Sequence, residues 1–165
     1  MDLGCWPGGF LQVAAKLVSP RGAVVGVDLA LVDPPLKNAN VVALQADLEA
    51  SDICERVLES LGGHRADVVL CDAAPKLTGV RDVDRAAEER LLECVEGLLP
   101  RLLREDGDLL LKILDGPEAQ RVDHRIRKSF EKAKTAKSSA TRKGSSERYL
   151  VARGYRPVLA SPATG

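Results

Sequence analysis

The sequence predicts an α/β domain of the doubly wound type, a mostly parallel β-sheet flanked by helices. Three observations predict it. Apolar, β-branched runs of about five residues alternate along the chain with segments whose apolar residues recur at helical spacing. The runs are apolar throughout, as strands buried on both faces of a parallel sheet require. Three of them lead into an aspartate, Asp28, Asp47 or Asp72, which sets carboxylates along one edge of such a sheet. At about 150 residues per domain, 165 residues make one domain, and a hydrophobic content of 45% suffices for one core.

Taken in order, residues 23–27, 41–44, 67–71, 109–114 and 148–152 read as strands, and residues 10–18, 52–61, 83–104 and 118–132 as helices. Ahead of the first strand, Asp2-Leu3-Gly4 opens a glycine loop preceded by Met1 alone, where a strand of about five residues belongs. The expectation is that the first strand, normally the most buried one, is truncated and that an N-terminal segment is missing. Residues 135–146, rich in Ser, Lys and Thr, read as a mobile basic loop. Residues 1–155 read as the domain and 156–165 as a loose tail.

The formal net charge of zero conceals an asymmetry. Residues 1–120 carry 12 basic against 21 acidic side chains, a net of −9, and residues 121–165 carry 12 against 3, a net of +9. Positive potential concentrated in this way suits a phosphate backbone, with Arg121, Arg125, Lys128, Lys137, Arg142 and Lys143 as the candidate contacts. The competing reading is a solvated helix face followed by a solubilising loop.

The four cysteines, Cys5, Cys54, Cys71 and Cys94, stand far apart in apolar segments, and His64 and His124 are isolated. That pattern predicts buried, reduced thiols of a cytoplasmic protein and no metal site. No apolar run approaches the roughly 18 residues that span a bilayer, and the start has neither the basic nor the apolar region of an export signal.

Gly4-Cys5-Trp6-Pro7-Gly8-Gly9-Phe10 lets the backbone turn tightly and approach a ligand, then opens a helix whose N–H groups point at it. The spacing is neither GxGxxG nor a P-loop, which speaks against a dinucleotide or nucleoside triphosphate. Asp28 can accept both hydroxyls of a ribose and Asp47 can meet an exocyclic amine, so the three strand ends outline a nucleoside pocket. Singly, each aspartate is as readily a turn cap. Lys112 interrupts the apolar strand at 109–114. Burial disfavours an ammonium unless it is paired, so a lysine there is either an acid/base group beside a carboxylate or a side chain reaching solvent. Glu147 precedes the last strand and supplies a further carboxylate near the same edge.

Together these residues resemble the FtsJ-type ribosomal-RNA 2′-O-ribose methyltransferases, in order and at similar spacing from Asp2 to Gly154. Asp2 to Phe10 is similar to the family's DLGxxPGGW/F loop, Gly26-Val27-Asp28-Leu29 to its second strand end, and Gln45-Ala46-Asp47 to its QGD segment. Asp72-Ala73-Ala74-Pro75 with Thr78-Gly79 resembles the SDMAPN-SG segment, and Leu111-Lys112-Ile113-Leu114-Asp115-Gly116 the VKVFQG strand. Ser146-Glu147-Arg148-Tyr149 with Val151-Ala152-Arg153-Gly154 is similar to the closing SxExY-VATG strand.

The resemblance implies a Rossmann-like, S-adenosylmethionine-dependent methyltransferase fold of seven strands, the last antiparallel. It implies S-adenosylmethionine held by Gly4, Gly8, Phe10, Asp28, Asp47 and Asp72. It implies three members of a catalytic tetrad at Asp72, Lys112 and Glu147; the tetrad's first lysine, upstream of the glycine loop, has no counterpart here. The implied target is a ribose 2′-hydroxyl, that of a uridine in large-subunit (23S) ribosomal RNA, methylated by a monomer acting on an assembled ribosomal particle. In that reading Lys112 accepts the hydroxyl proton, Asp72 orients it and Glu147 fixes the lysine. Three other readings compete: a transfer-RNA ribose methyltransferase, an S-adenosylmethionine- and RNA-binding module without catalysis, and a nicotinamide-dependent oxidoreductase, against which the missing GxGxxG counts.

Overall fold

The computed structural model describes residues 1–18, 21–114, 116–136 and 148–157. The elements are β1 (Asp2–Leu3), α1 (Gly9–Leu17), β2 (Val24–Asp28), β3 (Val41–Gln45), α2 (Ile53–Ser60), β4 (Ala66–Cys71), α3 (Arg81–Leu102), β5 (Leu103–Ile113), α4 (Pro117–Arg127), β6 (Phe130–Ala136) and β7 (Arg148–Tyr155). Seven strands form one sheet in the order β3-β2-β1-β4-β5-β7-β6. β1 to β5 pair in parallel, and β7 lies antiparallel between β5 and β6. The α/β class and the antiparallel last strand are therefore as the sequence leads one to expect.

The expected strands all form. β1, two residues long, still occupies the middle of the sheet, with Asp2 in register with Gly26 and Leu70 and Leu3 in register with Val27 and Cys71. α4 has the end chemistry of a short helix: Pro117 in the first turn with Glu118, and His124, Arg125 and Arg127 in the last, each sign suited to its end of the helix dipole. The expected helix at 118–132 ends at Arg127, and a seventh strand, β6, follows. Phe130 starts that strand by packing its ring 5.1 Å from that of Tyr155. β7 then supplies a pairing edge from Tyr155 to Tyr149, a partner that no local periodicity reveals. At the start of the stretch expected to be a loose tail, Arg156 pairs with Asp106 and Glu131 at 2.5 and 2.6 Å; residues 158–165 lie outside the described residues.

The two faces of the sheet are covered unequally. On one, α2, α3 and α4 bury Ile53, Val57, Leu92, Val95, Val122 and Ile126 against Leu3, Val27, Val69, Leu109, Leu111 and Leu150, which forms the main core. On the other, α1 is the one helix among the described residues, and a smaller core joins Leu11 to Cys5, Val24 and Val32. Gly26 makes that approach possible, because a Cβ there would lie 2.8 Å from Cys5 Sγ and 2.9 Å from Leu11 Cδ1. Beyond α1 a groove of about 720 Å³ runs between Phe10, Val13 and Leu17 of the helix and Val68, Leu70 and Leu110 of the sheet. No helix among the described residues is long and apolar enough to cross a membrane.

Candidate active site

The chain runs outward from β1 to β2 and β3, then returns to place β4 on the other side of β1. Such a reversal opens a crevice at the carboxyl ends of the strands. Here it is a cavity of about 750 Å³ lined by Gly4, Trp6, Asp28, Asp47, Asp72 and Lys76, among others. Each carboxylate arrives on a different strand end. Gly4 is held at φ 76°, and a Cβ on it would lie 2.4 Å from the Ala73 Cα, so the glycine loop and the loop after β4 can meet only at a residue without a side chain.

Of the residues expected around one ligand, Gly4, Asp28, Asp47 and Asp72 converge on this cavity, whereas Gly8 and Phe10 do not line it. Gly8, at φ 106°, starts α1, with Val32 Cγ1 the nearest atom a Cβ would meet. Phe10 faces the groove on the other side of α1. The aspartates also cap turns: Asp28 Oδ2 accepts from the Trp6 N–H at 2.9 Å and Oδ1 from the Ala30 N–H at 2.8 Å. Asp47 Oδ1 accepts from the Glu49 N–H at 2.9 Å. The turn-cap reading and the ligand reading thus describe the same residues, since a carboxylate oxygen has a second lone pair to offer.

The sharpest geometry joins β4, β5 and β7. Lys112 and Tyr149 are register partners on adjacent strands, and both reach Asp72 at the end of the next strand. Lys112 Nζ donates to the Asp72 main-chain oxygen at 2.5 Å and lies 3.2 Å from Oδ1. The Tyr149 hydroxyl donates to the same Oδ1 at 2.9 Å. The Lys112 side chain is only 11% exposed, so it is held rather than reaching for solvent. Glu147 lies outside the described residues.

Three residues here, Glu88, Asp2 and the Tyr149 just described, escaped the sequence reading as site residues. Glu88 of α3 is buried, and its Oε1 accepts from the Leu114 N–H at 2.9 Å, which anchors the strand end that carries Lys112. Burial pushes its carboxyl above the usual range. Asp2 is 1% exposed, and neither carboxylate oxygen has a hydrogen-bond partner. Burial, opposed by the Met1 ammonium and reinforced by Asp72 and Asp28, pushes its carboxyl up to about 7. A charged residue inside a strand was the available signal for Asp2; for Tyr149 it was the closing Ser-x-Glu-x-Tyr pattern.

A sequence profile of the FtsJ-like methyltransferases matches residues 1–155. The chain belongs to this family. It is 41% identical over 157 residues to the ribosomal RNA large subunit methyltransferase E of Methanothermobacter thermautotrophicus, a match that covers 94% of this chain and 73% of that one. The Pseudomonas aeruginosa protein of the same name is 35% identical over 156 residues, covering 94% and 74%. Among solved structures, a Plasmodium falciparum chain named as a ribosomal RNA methyltransferase superposes with a TM-score of 0.78 at 21% identity, over 93% of this chain and 84% of that one. Methanococcus jannaschii fibrillarin, a pre-rRNA processing protein, follows at 0.67 and 13%, over 94% and 65%. At these identities the structures share the fold.

The basic residues of this FtsJ-like chain are disposed differently from the expectation. Arg121 donates to Glu89 at 3.1 Å, and Arg125 donates to Glu93 at 3.1 Å and to Glu96 at 2.8 Å. Both guanidinium groups thereby pair α4 with α3 while remaining partly exposed. Lys128 sits at the C-cap of α4, where a cation suits the helix dipole. Lys137, Arg142 and Lys143 lie outside the described residues, and among the described residues no cluster of three metal-ligating side chains occurs.

Proposed function

We propose that this methyltransferase transfers a methyl group from S-adenosylmethionine to a ribose 2′-hydroxyl of large-subunit ribosomal RNA, with a uridine as the target that its resemblance suggests. The observation that carries this reading is the Lys112–Asp72–Tyr149 cluster at the rim of the strand-end cavity. The relatives' names support ribosomal RNA as substrate.

The cavity's chemistry fits the donor. S-adenosylmethionine carries a sulfonium and an ammonium, and the loops around the cavity bring Asp28, Asp47 and Asp72 together, with Asp2 close enough to feel the charges of two of them. Asp28 and Asp47 would hold the ribose and the base, while Gly4 admits the ligand close to the backbone. When bound, the donor supplies a methyl group already activated by its positive sulfur.

The protein's task is then alignment and removal of one proton. Positioning can contribute about 7 kcal/mol or more, and a base about 10²–10⁴-fold. We assign the second task to Lys112. Acting as a neutral amine it would have two N–H donors and one lone pair; the Asp72 main-chain oxygen and Oδ1 would take the donors, and the lone pair would accept the hydroxyl proton as the ribose O–H bond breaks. Tyr149 donates to the same Oδ1 and so helps to fix the Asp72 carboxylate. Glu147 would steady the lysine in the same way.

Replacing Lys112 by alanine tests this directly. Transfer of a tritiated methyl group to large-subunit ribosomal RNA should fall by about 10²–10⁴-fold, while S-adenosylmethionine affinity, read by calorimetry, stays the same. A variant that binds RNA normally and keeps its rate would remove Lys112 from the chemistry. Methylation of a base, detected by nuclease digestion of the product, would overturn the ribose target.

A further inference from the structure

We propose that Glu88 is a positioning residue of the methyl-transfer site, fixing Lys112 against Asp72 by holding the end of the strand that carries the lysine. This rests on the reading of Lys112 as the proton acceptor. Buried side chains of α3 recur at Glu88, Leu92, Val95, Leu99 and Leu102, the spacing of a helix face turned to a core. A carboxyl group at the head of that apolar stripe breaks the pattern, and burying it costs free energy unless a donor meets it. The donor is the Leu114 N–H, 2.9 Å from Oε1. Leu114 lies one residue beyond the end of β5 and two beyond Lys112. The last register pair of β5 with β7 is Ile113 with Arg148, and Glu88 takes up the N–H that follows.

Two carboxylates one helical turn apart tie α3 to both halves of the Lys112–Asp72 pair. Asp84 stands four residues before Glu88, on the same side of the helix. It accepts from the Thr78 N–H at 2.7 Å, the Thr78 hydroxyl at 2.8 Å and the Gly79 N–H at 3.1 Å. That fastens the loop leaving Asp72 to the first turn of α3. Glu88 fastens the end of the Lys112 strand to the second turn. Between these two holds, Lys112 Nζ meets the Asp72 main-chain oxygen at 2.5 Å and Oδ1 at 3.2 Å, so one helix sets the spacing of the pair. Burial pushes the Glu88 carboxyl up, opposed by the Leu114 N–H and by the charge of Lys112, which places the acid within electrostatic reach of the lysine. Its hydrogen bond is to the backbone of the strand, so Glu88 acts through Lys112 and not on the substrate.

The test compares Glu88→Ala, Glu88→Leu and Glu88→Gln with the wild type. Alanine and leucine remove the acceptor, and leucine also completes the apolar stripe, so it carries the test if the alanine variant does not fold. Glutamine keeps a side-chain oxygen for the Leu114 N–H. The control is Val95→Ala, in the same buried stripe about 10 Å further along the helix. Methyl transfer to large-subunit ribosomal RNA is measured at saturation, well below each melting temperature, per molecule able to bind S-adenosylmethionine in calorimetry. Without the acceptor kcat should fall by about 10- to 100-fold, because a displacement of about an ångström suffices for that. Affinity for the donor should stay at the wild-type value, as should RNA affinity, read from the anisotropy of a fluorescein-labelled single-stranded RNA 20-mer. Glu88→Gln should stay within about 3-fold of the wild-type kcat, and Val95→Ala should lower the melting temperature with kcat unchanged. In a Lys112→Ala background the loss of Glu88 should cost less than about 2-fold, since no amine is left to position. A wild-type kcat in both the alanine and leucine variants, an equal loss in Val95→Ala, or the same loss with and without Lys112 overturns the assignment. Failure of Lys112→Ala alone to lower the rate would instead overturn the reading on which the assignment rests.

Discussion

Replacing Asp2 by asparagine should make the protein more stable, and by an amount that depends on pH in a calculable way. The side chain is 1% exposed with neither oxygen hydrogen-bonded, and burial raises its carboxyl from 3.8 to about 7. At about 1.4 kcal/mol per pH unit, that rise corresponds to about 4 kcal/mol. The sign follows from proton binding. Between about pH 4 and 7 the folded state keeps a proton that the unfolded state has released, so stability falls as pH rises and levels off above pH 7. An amide does not titrate. The stability difference between variant and wild type, from urea denaturation, should therefore be under 1 kcal/mol at about pH 4, between about 1 and 2 at pH 5, and about 4 at pH 8, plus a constant for burying the amide. The slope is diagnostic because that constant does not vary with pH. A difference that stays flat from pH 4 to pH 8 would refute the account of Asp2 as a buried, unpaired carboxyl.

Three further outcomes follow from the same geometry. Gly4→Ala places a Cβ 2.4 Å from the Ala73 backbone at φ 76°, so calorimetry should show S-adenosylmethionine binding lost or weakened at least tenfold, with a lower melting temperature. Tyr149→Phe removes the hydrogen bond to Asp72 Oδ1 while keeping the ring. Its kcat should fall by about 3- to 30-fold, the equivalent of about 0.5–2 kcal/mol, with the affinity for the donor unchanged. Arg125→Ala breaks partly exposed ion pairs between α4 and α3. It should cost no more than about 1 kcal/mol of stability, and it should leave RNA affinity at the wild-type value in the anisotropy assay.

What the amino-acid sequence determined by itself was whatever depends on local pattern. Apolar β-branched runs and helical spacing located five strands and four helices, because burial on both faces of a sheet or on one face of a helix writes a period into neighbouring residues. Strand-end acids located Asp28, Asp47 and Asp72, because in a parallel sheet every such end emerges on the same edge. Lys112 stood out because a charge inside an apolar strand needs a partner.

Only the tertiary structure decided which partner each residue has. β6 exists because β7 offers an edge to residues that otherwise resemble the tail of a helix. Phe10, next to the glycine loop in sequence, turns away from its cavity because α1 directs it to the other side. Arg121 and Arg125 stand out in a one-dimensional charge count, and only the fold shows that both also pair with glutamates of α3. Tyr149 reaches Asp72 across 77 residues of chain, through the register of three strands. Asp2 is stranded without a partner by a sheet that closes around it on both sides. Pairing across a sheet joins residues far apart in the chain, so the sequence names the groups that carry chemistry while the fold settles which of them meet.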